Sequence, residues 1–277
     1  MNQTNYSAYL KYENEQQRKY QETLKEFGLL KHSSDNPWIY SVSPNIEVKR
    51  GFKIHLSATI VNATAIAESF FKFIKTNNFD INFKILSSLK ELTLQNAGIY
   101  GYSQVGKFIT IYPNSDDELN RLLVELEMLF KGVKGIPIPS DFKFQLSDVV
   151  YYRYGEFIKD PSYRDMRNKT IPADVKVPIS DYYIDRYDNL PSEYLILKVL
   201  IRNAKGGVYK VFNIHSKQVV ILKESKNLSM IDFTNRDSVN RMIMEKEILV
   251  KLKNEKFSPR FIREFYVKDS YFIEIDY

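Results

Sequence analysis

A lysine and a histidine stand two residues apart in Gly51-Phe52-Lys53-Ile54-His55, inside otherwise apolar sequence. On a strand, residues i and i+2 face the same way, so Lys53 and His55 project together. A second lysine, Lys84, interrupts the apolar run Phe83-Lys84-Ile85. A third, Lys107, follows Gly106, which permits close backbone approach, and enters Phe108-Ile109-Thr110-Ile111-Tyr112. Arg153 sits between Tyr152 and Tyr154. Burying a cation costs several kcal/mol unless something anionic meets it. Converging Lys, Arg and His suit a phosphate dianion, with Arg as a planar fork and Lys as a point charge. Taken singly, each residue has a plainer reading. A lysine on a strand is usually the solvent face or an edge gatekeeper, and a lone histidine is more often structural. The joint pattern reads as an anion site with a histidine available for proton transfer.

The elements that must position these residues follow from periodicity. Residues 6–27 read as a helix with Tyr20, Leu24 and Phe27 as a thin apolar stripe and Gly28 at the C-cap. Residues 52–60 alternate as a strand. Asn62 is placed to cap a helix carrying Ile66, Phe70, Phe73 and Ile74. Phe83–Leu86, Phe108–Tyr112 and Val149–Tyr154 read as strands. Ser115 caps the clearest helix, with Leu119, Leu122, Leu123, Leu126, Leu129 and Phe130 at helical spacing. Residues 159–192 then lose periodicity and gather prolines, Asp and Arg, the signature of a connector. The expected organisation is an α+β domain over 1–158, a connector over 159–192 and a second domain over 193–277.

Composition narrows the class. Hydrophobic residues make up 44% of the 277, ample for a core. The absence of cysteine excludes disulfides, thiolate nucleophiles and Cys-ligated zinc, and fits a reducing compartment. No apolar run approaches the ~20 residues a membrane span needs, and Met1–Tyr12 has no signal-peptide core, so the expectation is a cytoplasmic protein. The net charge of +6 is interleaved along the chain rather than clustered, which argues against a nucleic-acid partner.

Several motifs in series resemble the N-terminal region of class III lanthipeptide synthetases. They are Gly51-Phe52-Lys53-Ile54-His55-Leu56-Ser57-Ala58, Phe83-Lys84, Gly106-Lys107 through Pro113, Ser140-Asp141 and Tyr152-Arg153-Tyr154-Gly155. The likeness runs from about Trp38 onward. In that family this region is similar to phosphothreonine lyases. The resemblance implies β-elimination of phosphate from phosphoserine or phosphothreonine in a precursor peptide, a leader joined to a phosphorylated core. Lys84 would be the base at Cα and His55 the acid for the departing oxygen. Lys53, Lys107 and Arg153 would hold the phosphate. The basic residue usual after Ser-Asp is replaced by Phe142, with Lys143 one step on. The elimination implies no cofactor, and no metal-ligand cluster is apparent in the sequence.

The segment from Tyr194 resembles a protein-kinase N-lobe, a five-stranded antiparallel sheet with helix C. Gly206, Gly207 and Val208 would form the nucleotide loop, although Ile201 and Asn203 stand at the first two glycine positions. Lys223 and Glu245 would be the paired lysine and glutamate, with Glu247 as runner-up. A complete kinase of this kind uses ATP or GTP with magnesium. No His-Arg-Asp or Asp-Phe-Gly occurs, so phosphate transfer by this chain alone is not expected, and the chain reads as part of a longer synthetase. A different reading makes the second domain a leader-binding module without chemistry. The oligomeric state is open.

Overall fold

In the computed structural model, residues 3–29, 36–41, 49–158, 165, 169–177 and 190–277 are described, with side chains from residue 7 onward. The chain divides into two compact units, Met1–Ile184 and Asp185–Tyr277. The division falls inside the 159–192 stretch, most of which lies outside the described residues. Both units are mixed α/β, and each is built on one antiparallel sheet.

Unit 1 opens with helix α1 (Gln3–Glu26). Gly28, at φ +78°, closes it, with Gly28 N–H donating to the Lys25 carbonyl and Leu29 N–H to the Leu24 carbonyl. Six strands follow, interleaved with helices: β1 (Trp38–Tyr40), β2 (Arg50–Ser57), β3 (Asn82–Leu86), β4 (Lys107–Tyr112), β5 (Phe142–Lys143) and β6 (Val150–Glu156). Their order is β1-β3-β4-β2-β6-β5, so the strand carrying Lys53 and His55 is interior. Helices α2 (Ala63–Thr76), α3 (Leu89–Asn96) and α4 (Asp116–Leu129) complete the unit. Phe83 meets Phe27 of the turn after α1 and Phe70 and Phe71 of α2, so these helices lie against the face opposite Lys84.

Two helix expectations change in detail. Asn62 does not cap α2 through its side chain; its carboxamide accepts from Thr59 and donates to the Lys134 carbonyl. Phe71 rather than Phe73 fills the core, while Phe73 is half-buried beside Phe79. Ser115 does cap α4, accepting from Glu118 N–H, with Asp116, Asp117 and Glu118 at the positive end of the helix. Leu129 turns outward at the end of α4. Strand β1 and helix α3 were not anticipated; Ser88 caps the latter.

Unit 2 contains β7 (Tyr194–Asn203), β8 (Gly206–Asn213), β9 (Gln218–Lys226), β10 (Phe261–Val267) and β11 (Ser270–Asp276), in the order β10-β11-β9-β8-β7, and, among the described residues, one helix, α5 (Ser238–Lys251). Asp237 and Asn240 form a reciprocal capping box at its start. Val239, Met242 and Leu249 of α5 pack on Tyr271, Ile273 and Ile275. Tyr209, Val211, Val220, Leu222 and Phe272 form a second cluster.

Candidate functional site

Antiparallel pairing puts directly opposed residues on one face. His55 stands opposite Thr110 on one side and Tyr151 on the other, and Thr110 stands opposite Lys84. Lys84, Thr110, His55 and Tyr151 therefore form one row across four strands. Lys84 lies two strands from His55, roughly 10 Å at the backbone. Lys53 is directly opposite Arg153 on the same face.

Lys107 reaches this face through an irregularity. Leu56 pairs with Ile109, but Ser57 pairs with Lys107, so Phe108 is the extra residue of a β-bulge. Without the bulge, alternation would send Lys107 with Ile109 and Ile111 to the opposite face. Gly106, at φ +81°, precedes it, and a Cβ there would come within 2.9 Å of the Ile136 carbonyl.

Asp141 ties the cluster together. Its carboxylate accepts from His55 Nδ1, from Lys107 Nζ at 3.0 Å and from Ser140 Oγ at 2.7 Å, and Arg153 Nε lies 3.8 Å away. Arg153 also makes a bidentate pair with Asp165, at 2.5 and 2.8 Å. Lys53 Nζ donates to the Glu156 carbonyl. The side chains of Asp141, Lys107, His55, Arg153 and Lys53 are all buried.

Burial and crowding set the charges. Burial pushes the Lys53 amine well below its usual range, and the nearby charges of Arg153, Lys107 and Lys84 push it further. Lys107 is lowered by burial, against the pull of Asp141. His55 is pushed down to about 3, chiefly by burial, with Asp141 opposing. Burial raises Asp141, but His55 and Lys107 outweigh it and hold the carboxyl well below its usual range. The pair therefore rests as carboxylate and neutral imidazole. Nδ1–H donates to Asp141, which leaves Nε2 to give or take a proton. A second anion placed among these cations relieves their mutual repulsion.

The structure brings Lys53, His55, Lys107 and Arg153 around one carboxylate and puts Lys84 on the same face. The anchoring role of Asp141 was missed from sequence. Its signal was a carboxylate in Ser140-Asp141-Phe142, just after the apolar Ile136 and Ile138. Asp165 was also missed, hidden among the many charges of the 159–192 stretch. Lys143, the alternative basic residue of that loop, pairs instead with Asp148 at 2.5 Å. Among the described residues, no group of three or more His, Cys, Asp or Glu could hold a metal ion. No described helix is long and apolar enough to cross a membrane.

Unit 2 carries its own cleft, of about 530 Å³, lined by Ile201, Gly206, Val208, Lys223, Met242 and Glu245 among others. Lys223 of β9 donates to Glu245 of α5. Gly206, at φ +145°, lies so close to β9 that a Cβ would meet the Glu224 carbonyl oxygen at 2.1 Å. Gly207 is bounded by the Tyr209 side chain.

The family model for the RamC N-terminal domain matches residues 21–177, more than half of the chain. The chain belongs to the RamC N-terminal domain family. The match contains β1–β6 and every residue of the buried cluster. A probable SapB synthase of Streptomyces coelicolor is 25% identical over an alignment of 255 positions that covers 82% of this chain. The alignment covers 27% of that relative's length, so the chain spans about a quarter of the protein it matches.

Proposed function

We propose that unit 1 is a lyase of lanthipeptide biosynthesis that eliminates phosphate from phosphoserine or phosphothreonine of a precursor peptide. The observation that carries this reading is the convergence of Lys53, Lys107 and Arg153 with the Asp141-anchored His55, on the same sheet face as Lys84. Membership of the RamC N-terminal family and the similarity to a probable SapB synthase support a role in making such a peptide.

In this reading the substrate phosphate lies among Lys53, Lys107 and Arg153. Lys84 takes the Cα proton, and that electron pair forms the Cα=Cβ double bond. The Cβ–O bond breaks, and the departing phosphate oxygen takes a proton from His55 Nε2. The products are a dehydroamino acid and inorganic phosphate. Lys84 must be neutral to act as a base, and the surrounding cations favour that form. His55 must be an imidazolium to act as an acid. Burial opposes this, and an arriving dianion favours it. Asp141 then stabilises the charged ring and keeps its tautomer.

For unit 2 the reading is a kinase-type N-lobe, supported by the Lys223–Glu245 pair beside the Gly206-Gly207 turn. Lys223 and the backbone of that turn fit the phosphates of ATP or GTP, which would supply the phosphoryl group for the preceding step. The described residues of this unit offer no carboxylate set for magnesium.

Mass spectrometry of a leader-linked phosphoserine peptide, incubated with the chain without nucleotide, tests the lyase. The expected result is loss of one phosphoric acid from the peptide. Lys84→Ala and His55→Ala should each slow it by roughly 10²–10⁴-fold. Unchanged elimination by Lys84→Ala would falsify the base assignment. An intact phosphopeptide that stays bound to the protein would favour the binding-module reading instead.

A further inference from the structure

Strand β1 is three residues long and sits at the sheet edge, yet it is fastened at both ends. Ser87 N–H donates to the Pro37 carbonyl at 2.8 Å, Ser41 N–H to the Phe83 carbonyl at 2.9 Å, and Phe83 N–H to Ser41 Oγ at 3.0 Å. Its central residue, Ile39, is buried on the helix side. Trp38 and Tyr40 therefore project on the other face, which is the face of Lys84 and His55. The register puts Tyr40 directly opposite Lys84 and Trp38 opposite Leu86. Across that diagonal, Lys84 Nζ stands 4.3 Å from the centroid of the Trp38 ring.

We propose that Trp38 is a positioning residue for Lys84: its indole face fixes the amine at the edge of the anion site and favours its protonated form. The proposal rests on the lyase reading for its kinetic consequence and on the cation–π geometry for its physical content. A ring face attracts an ammonium and not a neutral amine, so the contact favours the protonated form. It opposes the cations on the sheet, whose charges drive Lys84 toward the neutral form. Among the described residues, the titratable groups of the sheet that share this face with Lys84 are Tyr40 on β1, Lys53 and His55 on β2, Lys107 and Tyr112 on β4, and Tyr151 and Arg153 on β6. Tyr112 is raised mainly by burial and further by Tyr40.

The test is the pH dependence of phosphopeptide elimination by the full chain with Trp38, Trp38→Phe and Trp38→Ala. For Trp38→Ala the plateau kcat should fall by about tenfold with KM little changed, and the acid limb should move to lower pH by up to about one unit. Trp38→Phe should lie between, because a smaller ring face still holds the ammonium. A Trp38→Ala enzyme with the wild-type plateau and limb overturns the proposal. So does a lowered plateau with an unmoved limb, which is what a merely structural role predicts.

Trp38 is the sole tryptophan, so its emission provides a readout independent of turnover. An alkaline titration of the wild type should show a step that is absent from Lys84→Met, and identical curves overturn the pairing. If the wild type eliminates nothing, the lyase reading fails by itself, and the emission titration still decides whether Trp38 senses Lys84.

Discussion

In unit 1 the central carboxylate, Asp141, is fully buried and is held by His55, Lys107 and Ser140. In unit 2 the side chains of Lys223 and Glu245 keep 26% and 41% of their surface in solvent. Both pairs join residues far apart in sequence, but water treats them differently. Around Asp141 the dielectric is low, each charge depends on the others, and removing one strands the rest. At Lys223 the solvent screens the pair, so it contributes little stability and can break and re-form. A buried cluster suits a site that must be assembled before its ligand arrives. A screened pair suits one whose geometry responds to a ligand.

The sharpest way to break this comparison is to neutralise one member of each pair. Asp141→Asn leaves Lys107 buried without its counter-charge, and we expect a loss of about 3–5 kcal/mol in unit 1. Lys223→Ala should cost unit 2 less than about 1 kcal/mol. Urea unfolding followed through Trp38 emission reports unit 1, and amide exchange across β8 and β9 reports unit 2. Equal losses would mean that burial does not distinguish the two sites.

The glycines that introduce the two sites give the next largest effect. Gly106→Ala and Gly206→Ala both force a side chain into a positive-φ position against a carbonyl oxygen, at 2.9 Å from Ile136 and 2.1 Å from Glu224. Each should cost about 1–3 kcal/mol. The consequences should differ. Gly106→Ala displaces Lys107 and so weakens binding of inorganic phosphate by unit 1, whereas Gly206→Ala loosens the β8–β9 pairing and leaves phosphate binding unchanged. Isothermal titration of both variants with phosphate separates them.

The most diagnostic effect is the acid slope. His55 falls from an ordinary 6.5 to about 3 on folding, mainly through burial. Between those values the unfolded chain binds a proton that the folded chain refuses. The stability linked to neutral His55 is therefore fully present above about pH 6.5 and is lost as pH falls toward 3. In unit 2 the lowered groups include Asp232 and Glu264, whose contributions are lost only below the ordinary carboxylate range, about pH 4. Urea midpoints from Trp38 emission between pH 7 and 4 should therefore decline, and His55→Gln should flatten them. A wild-type midpoint that is level over this range contradicts a buried neutral His55.

Much of the scaffold is legible from local pattern. The alternation of Phe52, Ile54 and Leu56 against Lys53 and His55 specifies β2 and the shared face of its two polar residues, because strand periodicity is a property of neighbouring residues. Ser115 with its acidic first turn marks α4, and Gly28 marks the end of α1, for the same reason. Strand β1 escapes this logic, since three residues carry no period. Helix α3 escapes because its buried residues include Gln95 and Asn96, which bond the Lys107 and Ala58 carbonyls.

The sequence by itself determined which cations exist, on which strands they lie, and that Lys53 and His55 point together. Only the tertiary structure decided that a bulge opposite Ser57 turns Lys107 onto their face, and that Asp141, 86 residues from His55, closes the cluster. It also decided that Trp38 lies over Lys84. The reason is physical. Strand direction is set by bonds between neighbours, whereas strand register and the burial of a charge depend on surfaces that meet only when distant segments pack.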